Sequence, residues 1–261
     1  MVDEMLERLP HVVRLRDGMG LVRCVRADDG SWVRVLQVGG AWQSATYLGA
    51  RRMEPVFEYY RSFDCAFDLS PGARRVLMLG GGGYSWPKHV AATRPGVHVD
   101  VVELDPAVTH AARRWFYLDE AMAMHPGVIG LLEGDGRAWL EGAASRGAER
   151  YDVIVNDTFC GAGPVVSLAT LEAARLARAC LADGGLYLSN VVSEDGGEDV
   201  GFLRDVLATL ADVFAHVHVV PCFDEQFASE DNYLVIAGDS EVDVAGEMPV
   251  DATILGEVLR D

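Results

Sequence analysis

The run Gly80-Gly81-Gly82-Gly83 follows an apolar stretch, Val76 to Leu79, and precedes a helix-like stretch beginning at Trp86. Glycine permits a tight turn and lets backbone N–H groups come close to a ligand. A glycine run alone is weak evidence, and its place between a strand and a helix strengthens it. Glu103 lies at the end of the next apolar run, Val97 to Leu104. An acid at that place in a βαβ unit accepts hydrogen bonds from a ribose diol. The following strand-like run ends in Glu133-Gly134-Asp135-Gly136. There Asp135 can accept from an adenine amino group, cap the helix Arg137 to Ala144, or do both. The next run, Val153 to Val155, ends in Asn156-Asp157, and Asp157 can bind or deprotonate an ammonium group. The plain alternative for Asp157 is a turn residue ahead of Gly161. The glycine loop lacks the Lys-Ser/Thr of a P-loop, and Lys88 falls inside the helix, so a nucleoside site is favoured over a phosphate site.

These residues need a frame that brings consecutive strand ends together. From Arg74 onward strands and helices alternate. Strands are expected at Val76–Leu79, Val97–Leu104, Val128–Leu132, Asp152–Val155 and Leu186–Asn190, with a late pair at His216–Val220 and Tyr233–Ala237. Helices are expected at Trp86–Thr93 with Ser85 as N-cap, at Pro106–Leu118, at Leu168–Leu181 and at Val200–Phe214. This pattern predicts an α/β fold: a doubly wound, Rossmann-like domain over residues 71–261. The first 70 residues differ. Short extended runs at His11–Arg16, Gly20–Arg26, Trp32–Val38 and Ser44–Leu48 are separated by Asp17-Gly18, Asp28-Asp29-Gly30 and Gly39-Gly40. They predict a small antiparallel β unit over residues 1–70, followed by a helix near Met53–Phe63. Pro71-Gly72 marks the boundary.

Composition limits the partners. The chain has 261 residues, and its net charge of −18 repels phosphate backbones and anionic lipid. Nucleic acid and membrane are therefore excluded as expected partners, and neutral or cationic small molecules suit better. Cys24, Cys65, Cys160, Cys180 and Cys222 form no CxxC pair, which argues against a disulfide framework and a structural zinc site. No metal is expected. The acidic N-terminus has no apolar core and no run of about 18 apolar residues occurs, so the expected location is the cytoplasm. The acidic stretch from Asp239 onward reads as a partly mobile tail.

The segments VLMLGGGGYSWPKHV, VDVVELDP, EGDGRAWL, YDVIVNDTFCGAGP and LADGGLYLSNVV, in this order, resemble the spermidine synthase family of aminopropyltransferases. VRVLQVGGAWQS resembles that family's strand ending in a ligand-contacting Gln, and FEYYRSF the helix carrying its gating Tyr. The resemblance implies a class-I S-adenosyl-binding fold with decarboxylated S-adenosylmethionine, or S-adenosylmethionine itself, as co-substrate. It implies that Gly80, Gly81 and Gly82 hold the methionine-derived end, Glu103 the ribose, Asp135 with Gly136 the adenine, and that Gln43 touches the nucleoside. Asp157 would be the catalytic carboxylate and Tyr59 the gating tyrosine. The family is usually dimeric or tetrameric, which implies a homodimer or homotetramer.

Three departures stand out. The family's GGGDGG has Gly83 in the aspartate slot, its second acid after the fourth strand is replaced by Cys160, and Tyr60 stands where Gln is common. Losing one charged partner for a diamine costs about 1.5 to 3 kcal/mol. A less charged or aromatic acceptor is therefore expected, beside an apolar wall of Tyr84, Trp86 and Phe159. Aminopropyl transfer to an amine is the first expectation. Methyl transfer to a small molecule is the alternative, because Gly83 cannot repel a donor carboxylate. A non-catalytic adenosyl-ligand-binding role is the third.

Overall fold

The computed structural model describes residues 8–16, 18–147, 150–160, 163–193, 200–224, 226–227, 231–250 and 255–261. The chain opens with an antiparallel sheet of β1 (His11–Leu15), β2 (Gly18–Arg26), β3 (Trp32–Val38) and β4 (Ala41–Tyr47), paired in sequence order. A 3₁₀ turn at Gly49–Arg51 leads to two short helices, α1 (Glu58–Ser62) and α2 (Cys65–Leu69). The single helix expected at Met53–Phe63 does not form. Pro55 disfavours helical backbone at the residue before it, and helix begins only beyond it.

The main sheet contains β5 (Arg75–Leu79), β6 (His98–Glu103), β7 (Ile129–Glu133), β8 (Tyr151–Asn156), β11 (Leu181–Ser193), β12 (His216–Cys222) and β13 (Asp231–Gly238). Its order is β12-β13-β11-β8-β5-β6-β7. The strands from β11 to β7 are parallel, and β13 pairs antiparallel with both β11 and β12. A two-stranded ribbon, β9 (Phe159–Cys160) with β10 (Gly163–Pro164), follows β8. The helices are α3 (Ser85–Thr93), α4 (Pro106–Trp115), α5 (Leu118–Met124), α6 (Gly136–Arg146), α7 (Leu171–Cys180) and α8 (Gly201–Ala211).

Alternation along the strands divides the core in two. Val76 and Met78 of β5, and Val153 and Val155 of β8, belong to one apolar cluster. Leu77 and Leu79, with Ile154, belong to the other. Successive strand side chains point to opposite faces, so both faces of this sheet are covered, as parallel strands require. The N-terminal sheet contributes Val33, Val35, Ala45 and Tyr47 to the first cluster, beside Trp86 and Phe63. The hydrophobic layer thus places β4 directly over the glycine loop and α3.

Polar contacts fix that placement. Buried Ser85 donates to the Ala45 carbonyl at 2.8 Å. The expected Ser85 cap is therefore absent, and the N-cap position is taken by Tyr84. Buried Lys88 donates to Thr46 Oγ1 at 3.1 Å and to the Phe116 carbonyl at 2.5 Å, and burial pushes its ammonium down to about 7. Arg34 donates to the Trp115 carbonyl at 2.6 Å. These donors claim the carbonyls at the end of α4. The helix expected to run to Leu118 stops at Trp115, and Tyr117 turns left-handed with φ 62° before α5. A local pattern cannot show such a stop, because its donors come from distant residues.

The last residues are docked. Leu171 N–H donates to the Leu259 carbonyl at 2.8 Å, Leu259 N–H to Thr209 Oγ1 at 2.9 Å, and Arg137 holds Asp261 at 2.7 Å. The tail expected to be mobile thus closes over α7 and α8 at residues 255–261. Among the described residues no helix is long and apolar enough to cross a membrane.

Candidate active site

The strand order reverses between β5 and β8, and the cleft lies at the carboxyl ends of the strands there, as open α/β sheets require. It opens to solvent, and its volume is about 860 Å³ when the solvent at its mouth is included. Its walls include Gln43, Tyr59, Tyr60, Gly80, Gly82, Glu103, Asp135, Gly136, Asp157 and Phe159, with Leu15, Leu36 and Val38 of the N-terminal sheet on one side. The structure therefore brings together residues separated by more than a hundred positions. Gly81 is not on the wall. A Cβ there would stand 2.7 Å from the buried Tyr84 ring, so glycine at 81 serves packing behind the loop.

Gly80 has φ +88°, and a Cβ on it would meet the Asp157 carbonyl oxygen at 2.2 Å. Asp157 N–H donates to the Leu79 carbonyl at 2.9 Å, which explains the closeness. The glycine thus lets the ends of β5 and β8 touch. Glu103, nearly buried, holds the loop from the other side. Its Oε2 accepts from Gly81 N–H at 2.8 Å and Gly82 N–H at 3.2 Å, and its Oε1 accepts from Asp105 N–H at 2.9 Å. A carboxylate has about four acceptor positions. Backbone donors occupy three of them, leaving one for a ligand hydroxyl. Asp135 does cap its helix, accepting from Ala138 N–H at 2.9 Å, while also facing the cleft.

Ser44 joins the N-terminal sheet to this loop, accepting from Gly83 N–H at 2.6 Å. A Cβ at Gly83 would meet Ser44 Cβ at 2.9 Å and Phe116 Cδ1 at 3.0 Å. Position 83 therefore packs against β4 and Phe116. Its glycine decides little about a donor carboxylate in the cleft.

Asp157 stands largely buried at the wall. Burial among protein groups pushes its carboxyl up to about 6, hydrogen bonds from Asn190 and Tyr60 pull it back down, and the charge of Glu103 adds to the rise. Asn190 Nδ2 donates to Asp157 Oδ1 at 2.9 Å, and Asn232 Nδ2 donates to Asn190 Oδ1 at 2.9 Å. On the opposite side Tyr59 hydrogen-bonds to Tyr60, and Tyr60 to Asp157. Burial, then the nearby Asp157 charge, lifts both phenols well above their ordinary range. Tyr59, singled out from the sequence, thus reaches Asp157 through Tyr60. In the sequence Tyr60 stands out only as a departure from the family pattern, and Ser44, Asn190 and Asn232 escaped sequence reasoning. Their one local signal is a polar residue at the end of an otherwise apolar strand, as at Asn190.

The expected apolar wall changes. Tyr84 is buried, with its hydroxyl 2.8 Å from Thr109 Oγ1, and Trp86 is buried with Nε1 donating to Asp64 at 2.8 Å. Neither reaches the cleft, whereas Phe159 does, and Tyr59 and Tyr60 take the other places. His89 also binds Asp64, at 2.8 Å, which makes it a structural partner of Trp86. The Cys160 side chain, with residues 161–162, lies outside the described residues. Among the described residues no cluster of three or more His, Cys, Asp or Glu is placed to hold a metal ion.

Fold and cleft define a doubly wound, Rossmann-like domain of the class-I methyltransferase type, with a small N-terminal sheet as one wall of the cleft. Human methyltransferase-like protein 13, solved with SAH, shares this fold with TM-score 0.59 and 21% identity, covering 74% of this chain and 86% of that one. A probable spermidine synthase from Corynebacterium glutamicum superposes with TM-score 0.69 and 23% identity, covering 89% of this chain and 81% of that one. Residues 64–229 match the spermine/spermidine synthase domain, and the chain belongs to that family. The polyamine aminopropyltransferase of Vibrio vulnificus is 29% identical over 151 residues, 58% of this chain and 48% of that protein. Spermidine synthase 2 of Arabidopsis thaliana is 24% identical over 182 residues, 66% and 52% respectively. The chain spans about half the length of these curated relatives.

Proposed function

We propose that this protein transfers an aminopropyl group from decarboxylated S-adenosylmethionine to a small-molecule amine, in the cytoplasm, as a homodimer or homotetramer. The observation that carries this reading is Asp157, a carboxylate at the cleft wall oriented by Asn190 and Tyr60, beside the Glu103-bound glycine loop. The names of the relatives, polyamine aminopropyltransferases, support the same reaction class.

In this reading Glu103 takes a ribose hydroxyl at its fourth acceptor position, Asp135 and Gly136 border the adenine, and Gln43 closes over the nucleoside. Gly80 and Gly82 face the methionine-derived end. The donor supplies a carbon activated by its neighbouring sulfonium. The amine nitrogen forms the new C–N bond at that carbon as the C–S bond breaks, and the bonding pair goes to sulfur. One proton leaves the amine for Asp157, whose pKa near 6 keeps it a carboxylate at neutral pH. Tyr59, Tyr60 and Phe159 form an aromatic wall beside this nitrogen, and they suit an acceptor with an apolar body. Positioning and one base are all the protein must add, since the electrophile arrives activated.

Methyl transfer from S-adenosylmethionine is the second reading. It is favoured by one observation: the fold is shared with human methyltransferase-like protein 13, which was solved with SAH. Calorimetric titration with S-adenosylmethionine, its decarboxylated form and methylthioadenosine separates the readings. Preference for the decarboxylated donor is expected, followed by amine-dependent release of methylthioadenosine. Preference for the carboxylated donor overturns aminopropyl transfer in favour of methyl transfer. Tight binding with no turnover across an amine panel supports a non-catalytic binder, and binding of none of the three overturns the nucleoside site.

A further inference from the structure

We infer that Asn190 and Asn232 are positioning residues, forming a one-way amide chain that holds Asp157 as a proton acceptor and leaves its Oδ2 to exchange the proton. The inference rests on the reading of Asp157 as the base, and it names residues on two further strands that set its state.

The strand register creates the chain. Ser189 of β11 pairs with Asn156 of β8, so Asn190 stands beside Asp157 at the cleft end of the sheet. Asn232 of β13 pairs with Val192, diagonally across from Asn190, whose own partner is Leu234. Diagonal neighbours of an antiparallel pair lie within reach of a polar side chain. Both asparagines are 7% exposed. Burying two amides at apolar strand ends is unfavourable unless each is paired, and here each link is 2.9 Å long.

Direction follows from chemistry. A primary amide donates only from nitrogen and accepts only at oxygen. Because Asn232 donates to Asn190 Oδ1, Asn190 must turn its Nδ2 to Asp157 Oδ1. A proton on Oδ1 would then face an N–H, donor against donor. In this orientation Oδ1 acts as the acceptor and the proton is better taken at Oδ2. The other groups facing Asp157 are Tyr60 and Tyr59 from α1 and Glu103 from the end of β6. The Glu103 charge and burial both favour the protonated form. The amide chain and the Tyr60 hydroxyl oppose them.

The test is an NMR titration of ¹³C-carboxyl-labelled aspartate in the full chain, with Asp157 assigned through Asp157→Asn. It needs no substrate, so its outcome is independent of whether aminopropyl transfer is the activity. Asn190→Leu, close in size, is expected to raise the Asp157 midpoint by about one to two pH units. Asn232→Leu, one link away from the carboxylate, is expected to raise it in the same direction by less, since Asn190 is then free to turn over. A midpoint unmoved by Asn232→Leu but moved by Asn190→Leu overturns the chain and leaves Asn232 a packing residue. A midpoint unmoved by both overturns the whole inference. Where a Leu variant fails to fold by near-UV circular dichroism, the Ala variant at that position is titrated, with the same expected direction and the same refuting result.

Discussion

Replacing Glu103 by Gln keeps the side chain's shape and removes its charge and one acceptor. Glu103 accepts from Gly81 N–H, Gly82 N–H and Asp105 N–H at 2.8, 3.2 and 2.9 Å. The amide can place its oxygen toward the two glycines or toward Asp105, never both. The less costly orientation keeps the glycines and sets the new NH₂ against Asp105 N–H. Two charge-assisted bonds then become neutral, at about 1 kcal/mol each, and one is lost at about 1.5 to 3 kcal/mol. Unfolding free energy is therefore expected to fall by roughly 3 to 5 kcal/mol, read from urea denaturation at pH 7.5. The same change removes the fourth acceptor position, which lies on Oε1, and puts an N–H donor there. Methylthioadenosine affinity, measured by calorimetry, is expected to fall about tenfold to hundredfold. Stability and affinity each within about 0.5 kcal/mol of wild type would refute the claim that this carboxylate both builds the loop and meets the ligand.

Gly80→Ala is expected to destabilise the fold by about 2 to 4 kcal/mol, from left-handed backbone and a Cβ 2.2 Å from the Asp157 carbonyl oxygen; an unchanged urea midpoint contradicts it. Asp157→Asn is expected to lower kcat by about 10²- to 10⁴-fold in the amine-dependent assay. Wild-type kcat/KM should climb through pH 6, the value to which burial raises this carboxyl. Because that folded value exceeds the unfolded 3.8, stability falls as pH rises between the two, and the loss is complete above about 6. The Asn variant should therefore be more stable than wild type at pH 8, by up to about 3 kcal/mol, as unfolding curves at pH 4 and pH 8 would reveal. Lys88 carries the opposite sign of linkage. Its folded value near 7 lies below the ordinary 10.5, so the unfolded chain binds more protons between them and stability rises with pH across that window. Relative to Lys88→Met, wild type should gain about 2 kcal/mol between pH 7 and pH 9, and a constant difference would show Lys88 to be charged in the fold.

Much of the frame was legible because it rests on local pattern. Apolar runs ending in Gly80, Glu103, Asp135 and Asp157 alternate with helix-like segments, and a chain that buries such runs forms a parallel sheet whose strand ends converge. Trp32–Val38 even has the same bounds in sequence and structure, since Gly30 and Gly39 bracket an alternating run. The family resemblance was carried by these same short stretches. Other features depend on partners that no window of sequence contains. Helix α4 ends at Trp115 because Arg34 and Lys88 take its last carbonyls. Tyr84 and Trp86 looked like cleft residues beside the glycine loop, yet the N-terminal sheet and α2 cover them, and burial of large rings outweighs their proximity in sequence. The state of Asp157 is likewise tertiary. Its residue type and position were readable, but the amides and phenols that set its proton affinity come from β11, β13 and α1. The sequence by itself determined which side chains line up at the strand ends, because β-strand alternation and glycine turns act over a few residues. Only the tertiary structure decided which of them have donors, which are buried, and which one is left free to take a proton, because hydrogen bonds and desolvation depend on neighbours brought together by folding.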